Sequence, residues 1–169
     1  MARFAALGAA EPRVVVHPGA GCDAKRWPPE RFAEVIARLT ERTGAACIVL
    51  SGPGEESLRE RVCAATPDAL ASGGQAIRGM MAMLAASDLF IGNTSGPLHI
   101  AAALGVATVS VAGPTSPLRF APRGPSDRVV RHPVPCSPCE RWRCWHHTCL
   151  RAIDPEQVLA EAGTILEDY

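Results

Sequence analysis

Short apolar runs that are rich in β-branched residues alternate with stretches of helical periodicity along most of this sequence. The run Arg13–His17 (RVVVH) precedes an amphipathic stretch at Glu30–Thr43, whose apolar residues recur at helical spacing: Phe32, Val35, Ile36 and Leu39. Runs that are apolar on both faces, such as Ala46–Leu50, are typical of parallel sheets that helices cover on each side. Because strand–helix–strand connections are right-handed, we expect an α/β fold with a Rossmann-like, doubly wound parallel sheet of about six strands.

The chain length sets the number of domains and their bounds. At 169 residues the chain fits one domain with one hydrophobic core. We assign this domain to residues 13–169, including a Cys-rich segment at 132–150 and a C-terminal helix at 154–168. Residues 1–12 are interpreted as a linker or a cloning remnant, because a strand begins directly after them. No apolar stretch reaches the roughly 20 residues that span a bilayer, so we expect a cytoplasmic protein.

The charge balance argues against nucleic acid as a partner. Lys plus Arg number 17 and Asp plus Glu number 17, so the formal net charge is +0 and a small ligand is favoured. Lys25 is the only lysine in the sequence, which singles it out as a candidate ligand-binding cation. A single lysine also remains by chance in a sequence whose other basic residues are arginines, so both interpretations stand at this point.

Three segments rich in Gly, Pro, Ser and Thr follow the predicted strands, where ligands of such sheets bind: His17–Pro29, Ile91–His99 and Gly113–Pro125. In the middle segment an Ala-rich helix begins near Gly96, directly behind Thr94 and Ser95. The free N–H groups and partial positive charge of a helix start suit a phosphate, and His99 adds a donor in the first turn. Ordinary helix capping by Ser and Thr is the alternative.

The first of these segments has the composition of an anion cradle. Gly19 and Gly21 permit close backbone approach, and Lys25 and Arg26 supply positive charge. The glycine spacing matches neither the P-loop nor the dinucleotide-binding fingerprint, which disfavours nicotinamide cofactors.

Two acidic residues, Glu55 and Glu56, follow the second predicted strand. A carboxylate at this position accepts hydrogen bonds from ribose hydroxyls in nucleotide-binding sheets. Acidic residues are also favourable in the first turn of any helix, which is the alternative explanation.

Four cysteines lie close together near the C-terminus: Cys136, Cys139, Cys144 and Cys149. In a reducing compartment such clustering favours a structural metal or an iron–sulfur cluster over disulfides. The spacing matches no standard zinc motif, and oxidised pairs or free thiols under a loop are the alternatives.

Three blocks of the sequence, in the same order, resemble glycosyltransferase family 9, the family of ADP-heptose:lipopolysaccharide heptosyltransferases. They read HPGAGCDAKRWPPERFAEVI, NTSGPLHIAAALGVATVSVAGPTSP and CSPCERWRCWHHTCLRAIDPEQV. The resemblance implies the carboxyl-terminal, donor-binding half of a two-domain GT-B enzyme, which binds a nucleotide-diphospho-sugar such as ADP-heptose. It further implies an inverting sugar transfer in lipopolysaccharide or cell-surface glycan synthesis, at most peripheral to the inner membrane.

The resemblance also assigns roles to residues. It implies that Lys25 meets the donor diphosphate and that Glu56 or Glu55 meets the ribose. It also implies that Ser95, Gly96 and His99 meet the phosphates and the sugar. The other residues that we expect to bind the donor are Gly19, Arg26, Thr94 and Thr115. Thr94 stands where the family usually has Asp, so the sugar and the base of the donor stay open.

The catalytic base is expected in an amino-terminal acceptor domain that this chain does not resemble, so we assign no catalytic residue. A glycolipid acceptor would bind through that domain, and the resemblance implies that transfer requires no cofactor. Two other functions stay open: a non-catalytic metal-binding or interaction module on the same fold, and an epimerase that acts on nucleotide sugars.

Overall fold

The computed structural model describes residues 12–167 and is built around one six-stranded sheet. The strands are β1 (Arg13–His17), β2 (Ala46–Ser51), β3 (Leu70–Gly73), β4 (Leu89–Asn93), β5 (Ala107–Val111) and β6 (Asp127–Val130). The helices are α1 (Pro29–Thr43), α2 (Glu56–Ala64), α3 (Ile77–Ala85), α4 (Gly96–Ala103), α5 (Pro117–Phe120), α6 (Thr148–Arg151) and α7 (Pro155–Leu166). A one-turn 3₁₀ helix at Asp23–Lys25 lies in the loop between β1 and α1.

All strand pairs are parallel, and the strand order is β3-β2-β1-β4-β5-β6. This order confirms the expected Rossmann-like, doubly wound arrangement. The chain leaves β1 in one direction to build β2 and β3, and then returns to β4 on the other side of β1. At this reversal the loops after β1 and β4 diverge, which opens a crevice at the carboxyl ends of the two strands.

Helices bury both faces of the sheet. On one face α1 and α7 cover the side chains that alternate along β1, including Val14 and Val16. On the other face α3 and α4 cover a second cluster that contains Val15 and Phe90. Because the central strands are buried on both faces, they are apolar along most of their length, which is the pattern that the sequence predicts.

The start of α1 is fixed by the residues before it. Pro29 occupies the first turn, where a missing N–H costs nothing. Trp27 is fully buried and packs edge-on against Phe32, with 4.9 Å between the ring centroids. The helix ends at Gly44, which adopts the left-handed conformation (φ +71°) that favours glycine. Because Trp27 is buried, the loop between β1 and α1 is anchored to the core where it meets α1.

The predicted C-terminal helix is present at Pro155–Leu166, and residue 168 of the predicted range lies outside the described residues. Residues 1–11, most of the predicted linker, also lie outside them, while the Pro12 carbonyl accepts a hydrogen bond from the Ala46 N–H at 2.9 Å. Within the described range, no helix combines the length and the apolar character that crossing a bilayer requires.

Candidate functional site

The loops after β1, β2, β4 and β5 meet at the carboxyl edge of the sheet, because parallel strands all end on the same side. The crevice between β1 and β4 lies at the centre of this edge. His17 is the last residue of β1 and Asn93 is the last residue of β4. Both side chains are polar and buried, at 2% and 0% exposure, so each requires hydrogen-bond partners within the protein.

Asn93 holds the loop after β1 in place. Its Oδ1 accepts a hydrogen bond from the Trp27 backbone N–H at 2.9 Å. Its Nδ2 donates to the backbone carbonyls of Pro18, at 2.8 Å, and Gly19, at 3.2 Å. Sequence analysis did not select Asn93. The only signal that could have found it is an amide residue at the end of an otherwise apolar strand.

His17 joins two residues that come from different loops. Its Nε2 lies 2.9 Å from Oε2 of Glu55, and its Nδ1 lies 3.3 Å from Oγ of Ser95. Glu55 and Ser95 were predicted from the sequence to line the site, whereas His17 was not. The three side chains form the centre of the candidate site, and we call them the His17 cluster.

Glu55 is ionised under ordinary conditions. Burial alone would raise its pKa, but the hydrogen bond and the charge of His17 outweigh burial, so the pKa of Glu55 lies below its usual value. The Gly52 backbone N–H, which donates to Glu55 Oε2 at 2.9 Å, and the charge of Arg26 act in the same direction. The site therefore holds a fixed carboxylate.

The structure distinguishes the two acidic residues that sequence analysis left as alternatives. Glu55 lies inside the crevice, where a Cβ atom built on Gly19 would come within 2.2 Å of its carboxylate. Glu56 is exposed at the start of α2, and its Oε1 accepts a hydrogen bond from the Gly54 N–H at 3.3 Å. Only Glu55 is brought together with His17 and Ser95.

The amino-terminal end of α4 faces this edge without a side-chain cap. Ser95 occupies the N-cap position, but its hydroxyl bonds to His17 and accepts no hydrogen bond from the helix. Gly96 and His99 in the first turn are exposed, while the Thr94 hydroxyl makes only a long contact of 3.5 Å to the Val111 carbonyl. The sequence-based alternative of ordinary side-chain capping is therefore wrong for α4, and its first N–H groups stay accessible to an anion.

Cations lie close together between the loop after β1 and α5. The Lys25 Nζ is 5.6 Å from the centroid of the Phe120 ring, and the Arg119 guanidinium lies 5.1 Å from the same ring. Arg26 donates from Nε and Nη2 to the Ala20 carbonyl, at 3.1 and 2.9 Å, which folds the loop back on itself. Phe120 was not selected from the sequence, because nothing in its surroundings there sets it apart.

Thr115 is a predicted site residue that the structure buries. It is 3% exposed, and its hydroxyl has no hydrogen-bond partner among the described residues. It borders a cavity of about 30 Å³ that His132 and Ser137 also line. This volume is large enough for a water molecule, and no hydrogen bond joins Thr115 to the His17 cluster.

Two larger cavities border the candidate site, which is itself an open edge of the sheet. One, of about 440 Å³, lies between the loop after β1 and the Cys-rich segment at 132–150, which we call the tail, and its lining includes Arg26, Trp27 and Trp145. The other, of about 320 Å³, lies at the carboxyl ends of β2 and β3, and its lining includes Leu50, Pro53, Gln75, Ile77 and Met80.

The four tail cysteines line one cavity of about 210 Å³, together with His146 and Arg141. All of them are free thiols, and burial together with the three neighbouring cysteines raises the pKa of Cys149. Within residues 12–167, however, no three His, Cys, Asp or Glu side chains are arranged to hold a metal ion. The tail is tied to the loop after β5, because the N–H groups of Cys139 and Glu140 donate to the Pro114 carbonyl at 3.0 and 2.9 Å. Glu140 also accepts from Arg119 at 2.8 Å.

Comparison with known proteins places this geometry in a family. The model of glycosyltransferase family 9 (heptosyltransferase) matches residues 2–149. Lipooligosaccharide heptosyltransferase 2 of Campylobacter jejuni is 28% identical over 162 residues, which cover 90% of this chain and 50% of that protein.

Solved structures show the same fold. The Escherichia coli ADP-heptose lps heptosyltransferase II superposes with a TM-score of 0.84 at 24% identity, over 98% of this chain and 50% of that one. The iron-containing heptosyltransferase TibC of enterotoxigenic Escherichia coli, solved with ADP-D-β-D-heptose, has a TM-score of 0.72 at 18% identity, over 96% of this chain and 48% of that one. The chain thus spans about half the length of these relatives. With most of its length matched by the family model, the chain belongs to glycosyltransferase family 9.

Proposed function

We propose that this chain is the donor-binding part of a sugar transferase that uses a nucleotide-diphospho-sugar. The observation that carries the proposal is the pairing, at the crevice between β1 and β4, of an uncapped start of α4 with the half-buried carboxylate of Glu55. The first is suited to the phosphates of a nucleotide, and the second is suited to its ribose.

The diphosphate would lie against the first turn of α4. The N–H groups and the helix dipole there favour negative charge, and Ser95 and His99 add side-chain donors. Lys25 and Arg26, at the same edge, supply positive charge for a leaving diphosphate. This donor set supports binding and leaving-group stabilisation by protein groups without a divalent cation, as the family resemblance implies.

The nucleoside would extend from Glu55 toward β2 and β3. Glu55 would accept hydrogen bonds from the ribose hydroxyls, because its pKa is lowered and its oxygens act as acceptors. The apolar cavity beside Pro53 and Met80 supports a place for a flat base. Gly19, Gly96 and Thr94 are proposed as close neighbours of the donor, whereas the buried position of Thr115 supports a structural role for that residue.

The relatives support ADP-heptose as the donor and lipopolysaccharide or a related surface glycan as the product. The acceptor, a glycolipid, and the catalytic base would then belong to the other half of such an enzyme. We place the protein in the cytoplasm, at most peripheral to the inner membrane. The structural metal or iron–sulfur cluster stays a prediction. The four thiols that line one cavity support it. Their arrangement does not, because no three His, Cys, Asp or Glu side chains in the described chain are placed to hold a metal ion.

Calorimetric titration with ADP and UDP tests the proposal. We expect ADP to bind, and Lys25→Ala to weaken ADP binding by about 1.5–3 kcal/mol, the worth of a hydrogen bond to a charged group, while adenosine binding barely changes. Arg42→Ala is the matched control, because Arg42 is a cation at the far end of α1 that pairs with Glu156. Absence of heat with both nucleotides at millimolar concentration would refute donor binding, and equal weakening of ADP and adenosine would remove Lys25 from the phosphate site.

A further inference from the structure

Lys25 is held by an aromatic ring and not by a carboxylate. Its Nζ lies 5.6 Å from the centroid of the Phe120 ring, which is within the range of a cation–π contact. Among the described residues, its ammonium group has no hydrogen bond and no ion pair. In this part of the chain the Phe120 ring is therefore what positions the ammonium group.

The carboxylates near Lys25 pair with other cations. Asp23 lies two residues before Lys25, and its Oδ2 is 3.3 Å from Nε2 of His147. Glu140 accepts a hydrogen bond from the Arg119 guanidinium at 2.8 Å. The charge of Arg119 is thus compensated, whereas no carboxylate of the described chain forms an ion pair with Lys25.

The kind of partner decides what the Lys25 ammonium group offers to an anion. A carboxylate would accept one or more of its three N–H groups and would cancel the charge that attracts a phosphate. The face of an aromatic ring attracts the cation through its quadrupole and leaves the charge uncompensated. The contact also restricts a long, flexible side chain before the ligand arrives, so less conformational entropy is lost on binding. The ring therefore preorganises the ammonium group for an anion.

The Phe120 ring is itself fixed in place. Phe120 ends α5, and its backbone N–H donates to the Ser116 carbonyl at 3.1 Å. The Arg119 guanidinium lies 5.1 Å from the centroid of the same ring, and its partner Glu140 donates from its backbone N–H to the Pro114 carbonyl at 2.9 Å. The ring is thus tied both to the loop after β5 and to the tail.

The strand order brings this contact to the start of α4. Lys25 follows β1 and Phe120 follows β5, and these two strands are the neighbours of β4 in the sheet. A contact between the loops after β1 and β5 therefore spans the carboxyl end of β4, where the chain enters α4. The uncapped first turn of α4 is the proposed place of the diphosphate.

We propose that Phe120 is a positioning residue, which holds the Lys25 ammonium group in place for the diphosphate of the donor. This inference rests on the proposed function of the site. Phe120 acts only through Lys25 and makes no contact of its own with the nucleoside. Its removal therefore weakens the binding of a nucleoside diphosphate, leaves the binding of a nucleoside unchanged, and has no effect once Lys25 is absent.

Calorimetry of ADP and adenosine with variants of Phe120 and Lys25 tests this role. We expect Phe120→Leu to weaken ADP binding about two- to fivefold, the effect of a cation–π contact at an exposed site, and to leave adenosine binding unchanged. Phe120→Tyr keeps the aromatic face and should retain the wild-type affinity for ADP. In the Lys25→Ala protein, Phe120→Leu should cause no further loss.

Leu118→Ala is the matched control, because Leu118 lies in the same short helix and is 81% exposed. It should bind ADP as the wild-type protein does. Equal losses from Phe120→Leu with and without Lys25, or equal losses for ADP and adenosine, would overturn the inference.

The sole lysine of the chain gives a second readout that does not depend on the nucleotide. Reductive methylation with ¹³C-formaldehyde labels Lys25 and the terminal amine, and Lys25→Arg identifies the Lys25 signal by removing it. We expect the face of the ring to shift the Lys25 methyl protons upfield in the wild-type protein relative to Phe120→Leu. Identical shifts in the two proteins would overturn the contact, whereas failure of the unmethylated wild-type protein to bind ADP would overturn the proposed function instead.

Discussion

Gly19 shows how closely the backbone and the candidate site are packed at the level of single residues. Any side chain at this position would start within 2.2 Å of the Glu55 carboxylate, yet the Gly19 backbone is in an ordinary conformation. The restriction therefore comes from the neighbouring side chain and not from backbone strain. A substitution here should displace Glu55 and leave the fold intact.

We expect Gly19→Ala to weaken ADP binding by about tenfold, which corresponds to about 1.4 kcal/mol, because Glu55 must leave its position beside His17. Gly21→Ala is the matched control, since a Cβ atom on Gly21 meets nothing within 4 Å. Calorimetry gives the affinities, and circular dichroism verifies the fold. Equal affinities for the two variants would show that the position of Glu55 does not matter for the nucleotide.

The residues that sequence analysis identified share a local signal. Lys25 and Ser95 lie in loops, and Gly96 begins α4, within segments whose composition marks them without any knowledge of the fold. His17 and Asn93 were missed because their meaning depends on distant partners: His17 pairs with residues 38 and 78 positions away, and Asn93 with one 66 positions away. Such pairings follow from the strand order, which no local pattern contains.

At the level of whole elements, α4 and α7 begin in contrasting ways. Asp154 caps α7: its side chain accepts from the Glu156 N–H at 2.9 Å, and the Gln157 side chain accepts from the Asp154 N–H at 2.9 Å. Ser95 leaves α4 uncapped and bonds to His17 instead. The N-terminus of α7, which packs against the sheet, is therefore capped by side chains at its own start. The N-terminus of α4, at the candidate site, has no side-chain cap.

We expect Asp154→Ala to lower the free energy of unfolding by about 1 kcal/mol, because the first turn of α7 loses its cap. Asp68→Ala is the control, since Asp68 is exposed and forms no hydrogen bond or ion pair within the described chain. Urea unfolding measures both variants. A loss for Asp154→Ala no larger than that for Asp68→Ala would mean that the capping box does not hold α7.

The elements themselves were predictable because their signals are local: apolar runs for the strands, helical spacing for α1, and proline and glycine at its ends. The free start of α4 was not predictable. Serine before a glycine and a proline is typical of a capped helix, and only the position of His17 in space shows that the hydroxyl is used elsewhere.

For the molecule as a whole, the parallel, doubly wound sheet followed from the alternation of strands and helices, because right-handed crossovers leave few arrangements, whereas the order of its strands was not predicted. The arrangement of the tail did not follow, because its residues have no periodic pattern and its conformation depends on contacts with the loop after β5. The tail cysteines were predicted to converge, and they do share one cavity.

Acid should destabilise the whole molecule partly through Glu55. The folded protein lowers the pKa of Glu55 below 4.5, so its contribution to stability is complete above about pH 4.5 and is lost as the pH falls through the lower folded value. We expect the fall in Tm below pH 4.5 to be smaller in Glu55→Gln than in the wild-type protein, by about 2–4 °C. Glu41→Gln, a change at an exposed residue, should follow the wild-type curve. Parallel curves for all three proteins would contradict this assignment.

The hydrogen bonds between the tail and the loop after β5 connect the cysteines to the candidate site. The Glu140 backbone N–H donates to the Pro114 carbonyl, and its carboxylate accepts a hydrogen bond from Arg119. Arg119 and Lys25 both lie against the ring of Phe120. A strain or a chemical change introduced among the tail thiols is therefore transmitted through these links to the sole lysine of the chain, in parallel with the ion pair between His147 and Asp23.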